Sequence, residues 1–319
     1  MGTRTRPESV LPAEILVGVD ETGSSDHAAR MGCELGRRFS VRVDLVHAFH
    51  PAPDFWPGID PLHGAEMNAK LREERRKRIE ERTHSILETL RSPSRAGGAV
   101  AAPTETGRVR FLTGHPARDL LEEARARNAG LIVLGGHQKR SPFDLGSTVR
   151  AVFARSKVPL WVQPRPAVPL RRIVAAVDLS EKSLSALAAA RSLAQAFEGT
   201  VHAVHCFHAS TVLISAGLGD PDQVLSRPSG MARGTAKLHF EEAMEVFDWQ
   251  GVEHETEFVE GEPVQALLEL SAKSELLVVG AHGRTGLSST VLGGVAYAIL
   301  KLSAKPTLVV PHADQAFLS

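Results

Sequence analysis

The sequence predicts two doubly wound α/β domains in tandem, each built on a five-stranded parallel sheet. Three observations carry that expectation: the chain repeats its own features at a nearly fixed offset, its strand-like segments are short apolar runs, and helical-period stretches alternate with them. A length of 319 residues also suits two domains better than one, because single cores rarely outgrow about 250 residues.

The repeat is read directly. Ile15-Leu16-Val17-Gly18-Val19-Asp20 is answered by Ile173-Val174-Ala175-Ala176-Val177-Asp178, and Val46-His47-Ala48-Phe49-His50 by Val204-His205-Cys206-Phe207-His208, both at an offset of 158. Gly114-His115-Pro116-Ala117 pairs with Gly261-Glu262-Pro263-Val264, and Val158-Pro159-Leu160-Trp161-Val162 with Lys305-Pro306-Thr307-Leu308-Val309, at an offset of 147. The length difference therefore falls between the second strand and the Gly-Pro step. Two homologous domains are expected at 13–165 and 170–312, joined by the stiff Pro-rich segment Pro164-Arg165-Pro166-Ala167-Val168-Pro169.

In the first half the Val-, Ile- and Leu-rich runs place strands at 15–20, 41–47, 108–113, 131–135 and 159–163. In the second they fall at 172–178, 200–206, 254–259, 275–280 and 306–310. Between them lie stretches of helical period, such as Pro116 to Arg127 and Leu184 to Ala196, the latter apolar at 184, 187, 188, 193 and 194. Apolar runs without strict alternation mark strands buried on both faces, hence a parallel sheet with right-handed helical crossovers. Glu66 to Arg91 reads as a long exposed helix, and because acids interleave its bases it is a solvated mixed-charge surface in preference to a nucleic-acid patch.

Composition excludes several classes. Hydrophobic residues at 43% and charged residues at 23% are those of an ordinary globular chain, not a disordered or collagen-like one. Lys+Arg and Asp+Glu are 37 each, so there is no global electrostatic case for nucleic acid or an anionic membrane. The zero is a sum: residues 1–166 hold 26 basic and 20 acidic side chains (+6), and 167–319 hold 11 and 17 (−6). No run approaches the roughly 18 apolar residues of a membrane span, and Met1 to Glu14 shows no apolar core of a secretion signal, so a cytoplasmic location is expected. Cys33 and Cys206 are too few for a disulfide framework or a thiolate zinc site.

In an open doubly wound sheet, ligands bind beyond the carboxyl ends of the strands where strand order reverses. With the order 3-2-1-4-5 in each half, that crevice lies between strands one and four. Strand one ends in Asp20 or Asp178, and strand four in Gly135-Gly136-His137-Gln138 or Gly280-Ala281-His282-Gly283. The second half then runs through Arg284 to Gly293-Gly294-Val295, a Gly-x2-Gly-x9-Gly loop between strand and helix. Such a loop suits phosphate, because glycines admit close approach of the backbone, successive N–H groups form an anion nest, and the next helix aims its N-terminus inward. Ser288, Ser289 and Thr290 offer hydroxyls, and Arg284 a charge. The competing reading is a plain strand-to-helix connection that needs glycine for its turns.

The tandem repeat, the Val-Asp end of strand one, the Val-His step of strand two and the glycine loop after strand four together resemble the universal stress protein family, over nearly the whole chain. The resemblance implies a Rossmann-like, adenine nucleotide alpha hydrolase-like fold and a stress-response module that binds ATP or a related adenine nucleotide, with Mg2+ as a companion ion. It implies that Asp178 and the strand-two end near Cys206 face adenine and ribose, and that Gly280, Gly283, Gly293 and Gly294-Val295 meet ribose and phosphates. The family loop closes on Gly followed by Ser or Thr, whereas this half has Gly294 there. The first half keeps the closing pair as Gly146-Ser147, but Gln138 replaces the second glycine, only 10 residues separate Gly135 from Gly146 against 12 between Gly280 and Gly293, and Pro142 and Phe143 fill the loop. The second half is therefore expected to be the main nucleotide site, and the first a degenerate one around Asp20, Gly135, Gly146 and Ser147.

His202, His205 and His208 bracket the second strand's end, with His47 and His50 at the equivalent places. Alternation puts His205 and Cys206 on opposite faces and no carboxylate stands at ligand spacing, so these read as structural histidines with no metal site. His137 and His282, inside the loops, are open to ligand contact or to bracing the loop. No P-loop, nucleophile elbow, H-E-x-x-H or dinucleotide motif is present, so no catalytic residue is assigned. The expected partners are an adenine nucleotide and the other half of the chain, the resemblance suggesting an internal pseudo-dimer through Leu160 to Val162 and Thr307 to Val310, open to further homodimerisation. The rival is a nucleotide-free interaction protein or small-molecule carrier using Ser210 to Gly234 and Phe55-Trp56-Pro57; a slow ATP hydrolase using Asp178 comes third.

Overall fold

The computed structural model describes residues 14–49, 61–91, 109–136, 146–208, 229–281 and 293–311. The chain divides between Ala167 and Val168 into two compact units.

The first unit runs β1 (Glu14–Gly18), α1 (Gly23–Phe39), β2 (Arg42–Phe49), α2 (Pro61–Arg91), β3 (Arg110–Thr113), α3 (Pro116–Ala126), β4 (Leu131–Gly135), α4 (Ser147–Arg155) and β5 (Leu160–Gln163). Its strands pair in parallel in the order β3-β2-β1-β4-β5, so β1 lies between β2 and β4. The second unit runs β6 (Arg172–Ala176), α5 (Glu181–Phe197), β7 (Thr200–Phe207), α6 (Ser229–Val246), β8 (His254–Glu260), α7 (Pro263–Ser271), β9 (Leu276–Gly280), α8 (Gly294–Leu302) and β10 (Thr307–Val310). Its parallel order is β8-β7-β6-β9-β10, the same winding.

The central strands are buried on both faces, as their unalternating apolar runs require: Leu16, Val17, Ile132 and Val133 in one unit, and Ile173, Val174, Leu277 and Val278 in the other, are wholly inaccessible. Strands one and six are shorter than the apolar run suggests. Pairing stops at Gly18 and Ala176, because Val19-Asp20 and Val177-Asp178 already turn toward the next helix, although Val19 N–H still donates to Val46 O (2.9 Å) and Val177 N–H to Val204 O (2.8 Å).

Helix ends follow their local chemistry. Pro116 and Pro263 sit in the first turn of α3 and α7, where a missing N–H costs nothing. Helices α1 and α5 both close on a left-handed residue, Ser40 (φ 57°) and Glu198 (φ 54°), 158 positions apart. Helix α2 is the solvated, mixed-charge helix that its sequence predicts. Arg76 and Glu80 pair along it (3.1 Å), while Arg78 reaches Glu21 (3.0 Å) and Arg82 takes both oxygens of Asp26 (2.6 and 2.7 Å). Those last two arginines fasten α2 to the start of α1.

At the opposite end of the first sheet a buried ionic cluster forms. Arg127 contacts Glu14 (2.7 Å), Asp44 (2.6 Å) and Glu123 (2.5 Å). Burial, and then the neighbouring Asp44 carboxylate, pushes the Glu14 carboxyl up to about 7.

Candidate functional site

The reversal of strand order places the C-terminal ends of β1 and β4 side by side in the first unit, and those of β6 and β9 in the second. In the first unit a cavity of about 240 Å³ opens there. Its floor is Gly18, Val19 and Asp20 with Val46, His47 and Ala48; its walls are the first turn of α1, Gly135-Gly136, and the Gly146-Ser147-Thr148 start of α4.

Asp20 is fixed by its own turn. Its Oδ1 accepts the Thr22 N–H (2.7 Å) and hydroxyl (2.5 Å), and Ser25 Oγ donates to the Asp20 carbonyl (2.8 Å). In the second unit Asp178 Oδ1 accepts the Ser180 N–H (3.0 Å) and hydroxyl (2.5 Å), and the Ser180 side chain caps α5 through Ser183 N–H. One carboxylate oxygen of each aspartate thus holds the strand-to-helix turn.

His47 Nδ1 lies 2.7 Å from Val19 O, and His205 Nδ1 lies 2.7 Å from Val177 O. A carbonyl only accepts, so the Nδ1 of each ring carries the proton. Burial lowers the His47 pKa below its ordinary value, against the opposing pull of the Val19 carbonyl, Asp20 and Glu21. Neutral at pH 7, the ring presents Nε2 as an acceptor. Each imidazole belongs to an aromatic cluster: His47 with Phe49 and Phe111, and His205 with Phe207, Phe258 and Phe240 of α6. These are the structural histidines of the sequence reading.

The glycines divide by cause. A Cβ on Gly135 would stand 2.7 Å from the backbone carbonyl of Ser24 and 2.9 Å from Ser25 N, so this glycine lets α1 seat directly on the end of β4. Gly146 caps α4 at φ 79°, a conformation that favours glycine. At Gly280 the corresponding backbone contact, with Lys182, is a looser 3.3 Å. Gly293 has an ordinary φ of −58°, and a Cβ on Gly294 would meet nothing within 4 Å among the described residues. Conformation therefore does not require glycine at Gly293, nor does packing against the described residues require it at Gly294, which leaves the start of α8 open at Gly294. Val295, next to them, is 38% exposed.

His282, Gly283 and Arg284 lie outside the described residues, as do His137, Gln138, Pro142, Phe143, His50, Ser288 to Thr290 and Phe55-Trp56-Pro57. Of the segment Ser210 to Gly234, only the part from Ser229 onward is described. The crevices therefore bring together Asp20, Gly135, Gly146 and Ser147 in one unit. In the other, Asp178 and Gly280 end adjoining strand regions, Gly293, Gly294 and Val295 open α8, and Cys206 ends β7. Burial pushes the Cys206 thiol up to about 12, with Glu262 and Glu257 adding to it, and burial pushes Cys33 up to about 12 as well, so neither is a thiolate at neutral pH. Among the described residues no three His, Cys, Asp or Glu side chains gather as a metal site, and no helix is long and apolar enough to cross a membrane. Sequence reasoning gave no site role to Thr22, Thr148 or Ser24, which line the first cavity. Transferring the strand-one register onto the next helix turn would have found the first and last of these.

A family model described as the universal stress protein family matches residues 13–164 and again 169–311. A universal stress protein of Methanocaldococcus jannaschii is 28% identical over 142 residues, 44% of this chain and 81% of its own length. A universal stress protein of Mycobacterium tuberculosis is 25% identical over 311 residues, 92% of this chain and 94% of its own. Among solved structures, a universal stress protein from Archaeoglobus fulgidus superimposes with a TM-score of 0.63 at 16% identity, covering 95% of this chain and 99% of that one, a likeness of fold.

Proposed function

The chain belongs to the universal stress protein family, and from that premise we propose that it is a stress-response module that binds an adenine nucleotide, ATP with a divalent ion, in the crevices between strands one and four of its domains 13–165 and 170–312. The observation that carries this reading is the cavity of about 240 Å³ at the strand-order reversal of the first unit. It is close to the lower end of the roughly 300–1,000 Å³ usual for small-molecule sites.

Its chemistry suits a nucleotide. Apolar Val46, Ala48 and Leu120 with the His47 ring offer a face for a base, the Asp20 turn stands beside a ribose, and Gly146-Ser147-Thr148 at the start of α4 present N–H groups and hydroxyls to phosphates. In the second domain the Asp178 turn repeats this arrangement, and the open space at Gly294 admits close approach of a phosphate. The second domain has the longer glycine loop and is the main site in this proposal; the first has the hydroxyls.

The test is to denature the purified protein, identify any nucleotide released, and repeat after purification with a chelator. Release of adenine nucleotide supports the reading; a different small molecule at stoichiometric amounts supports a carrier of another ligand.

A further inference from the structure

The two crevices are built at equivalent positions from unlike side chains. The 158-residue offset of β1 and β6 sets Lys182 where the first domain has Ser24, and the 147-residue offset of the α4 and α8 starts sets Gly294 where it has Ser147 and Val295 where it has Thr148. The equivalence of Ser24 and Lys182 is also geometric: the Ser24-Ser25 backbone packs on Gly135 at the end of β4, and the Lys182-Ser183 backbone packs on Gly280 at the end of β9. Ser24 lines the first cavity.

We infer that Lys182 is the phosphate-facing cation of the second crevice, supplying from α5 the contact that Ser147 and Thr148 supply from α4 in the first. This rests on the nucleotide reading above and assigns how its second site recognises charge. Three observations support it. Both hydroxyls of the helix start are lost, Ser147 to Gly294 and Thr148 to Val295, so the first residues of α8 themselves offer phosphates only backbone N–H groups. Lys182 makes no hydrogen bond or ion pair among the described residues, while the crevice carboxylate Asp178 accepts from Ser180. Lys182 is half-buried, on the first turn of a helix whose N-terminus already favours an anion. A flexible ammonium acts on phosphate as a point charge, so its contribution grows with the number of phosphates and falls with salt.

Among the described residues the first crevice meets phosphate with neutral hydroxyls and discriminates weakly by charge, whereas the second prefers ATP over AMP. The test is photolabelling of the full chain with 8-azido-ATP, peptide mapping of the label to each domain, and competition by ATP, ADP and AMP. In the wild type, label in the second domain should be displaced in the order ATP, ADP, AMP. Lys182→Gln should lower ATP affinity there about tenfold, the loss expected for one charge-assisted hydrogen bond, and flatten that order. Lys182→Arg should restore both, and label in the first domain should not change. If wild type and Lys182→Gln show the same order and affinity in the second domain, or the wild-type second domain takes no label while the first does, the assignment of Lys182 is wrong and nucleotide binding by the first domain stands. Absence of specific label from both domains overturns the nucleotide reading itself.

Discussion

His47 Nδ1 donates a hydrogen bond of 2.7 Å to the carbonyl of Val19, and 158 residues later His205 makes the same bond to Val177. The bond ties the end of strand two to the residue before the crevice aspartate, so the floor of each site is held by a side chain from the neighbouring strand.

Because burial lowers the His47 pKa, folding favours the neutral ring. Its stabilising contribution is full above the ordinary value near 6.5 and is lost as pH falls from there through the lowered folded value. The wild type should lose stability as pH falls below about 6.5, and part of that loss should vanish in His47→Asn. The variant itself should be about 1 kcal/mol less stable near neutrality, the worth of one hydrogen bond. Thermal unfolding across this range measures both effects, and an unaltered pH profile in His47→Asn would remove the ring from the account.

Glu14 has the opposite sign. Its folded pKa is raised to about 7, chiefly by burial and then by Asp44. A raised carboxyl contributes stability that is full below its unfolded value near 4.5 and disappears as pH rises through about 7. Glu14→Gln, which mimics the protonated form, should therefore match the wild type near about pH 4 and exceed it by up to about 3 kcal/mol near about pH 8. Denaturant unfolding at the two pH values decides it: a variant less stable at both would show that Arg127 needs the Glu14 charge.

The glycines predict unequal tolerance. Gly135→Ala drives a Cβ to within 2.7 Å of the Ser24 backbone and should cost about 1–3 kcal/mol. Gly280→Ala, at 3.3 Å, should cost less. Gly294→Ser enters open space and returns the hydroxyl that Ser147 provides in the first domain, so it should leave stability unchanged and strengthen ATP binding in the second domain roughly tenfold. Unfolding and titration of the three variants check these expectations, and a destabilised Gly294→Ser would contradict the open geometry.

The fold was legible because it rests on patterns that one sequence carries: unalternating Val, Ile and Leu runs such as Leu131 to Leu134, and the repeat that aligns Ile15 with Ile173. Strand ends were less so. Val19 and Asp20 look like strand in composition, and only the Thr22 contacts to the Asp20 carboxylate show the turn. At the site, the sequence-named Asp20, Gly135, Gly146 and Ser147 line the first cavity, but their structural causes were not legible. Gly135 reads as a ligand contact, while its geometry shows packing against Ser24. Lys182 carries no motif, and its meaning comes from standing where Ser24 stands. The tautomer and neighbours of His47 depend on contacts across strands, which no local pattern encodes.

Equilibrium binding of ATP to the full-length protein tests the central claim most directly, measured beside Ala48→Phe, which fills the floor of the first crevice, and Gly294→Ser. The account predicts saturable binding by the wild type at or below millimolar ATP, loss of one class of sites in Ala48→Phe, and strengthening of the other in Gly294→Ser. No binding by the wild type at millimolar ATP, or binding that neither substitution alters, would contradict it.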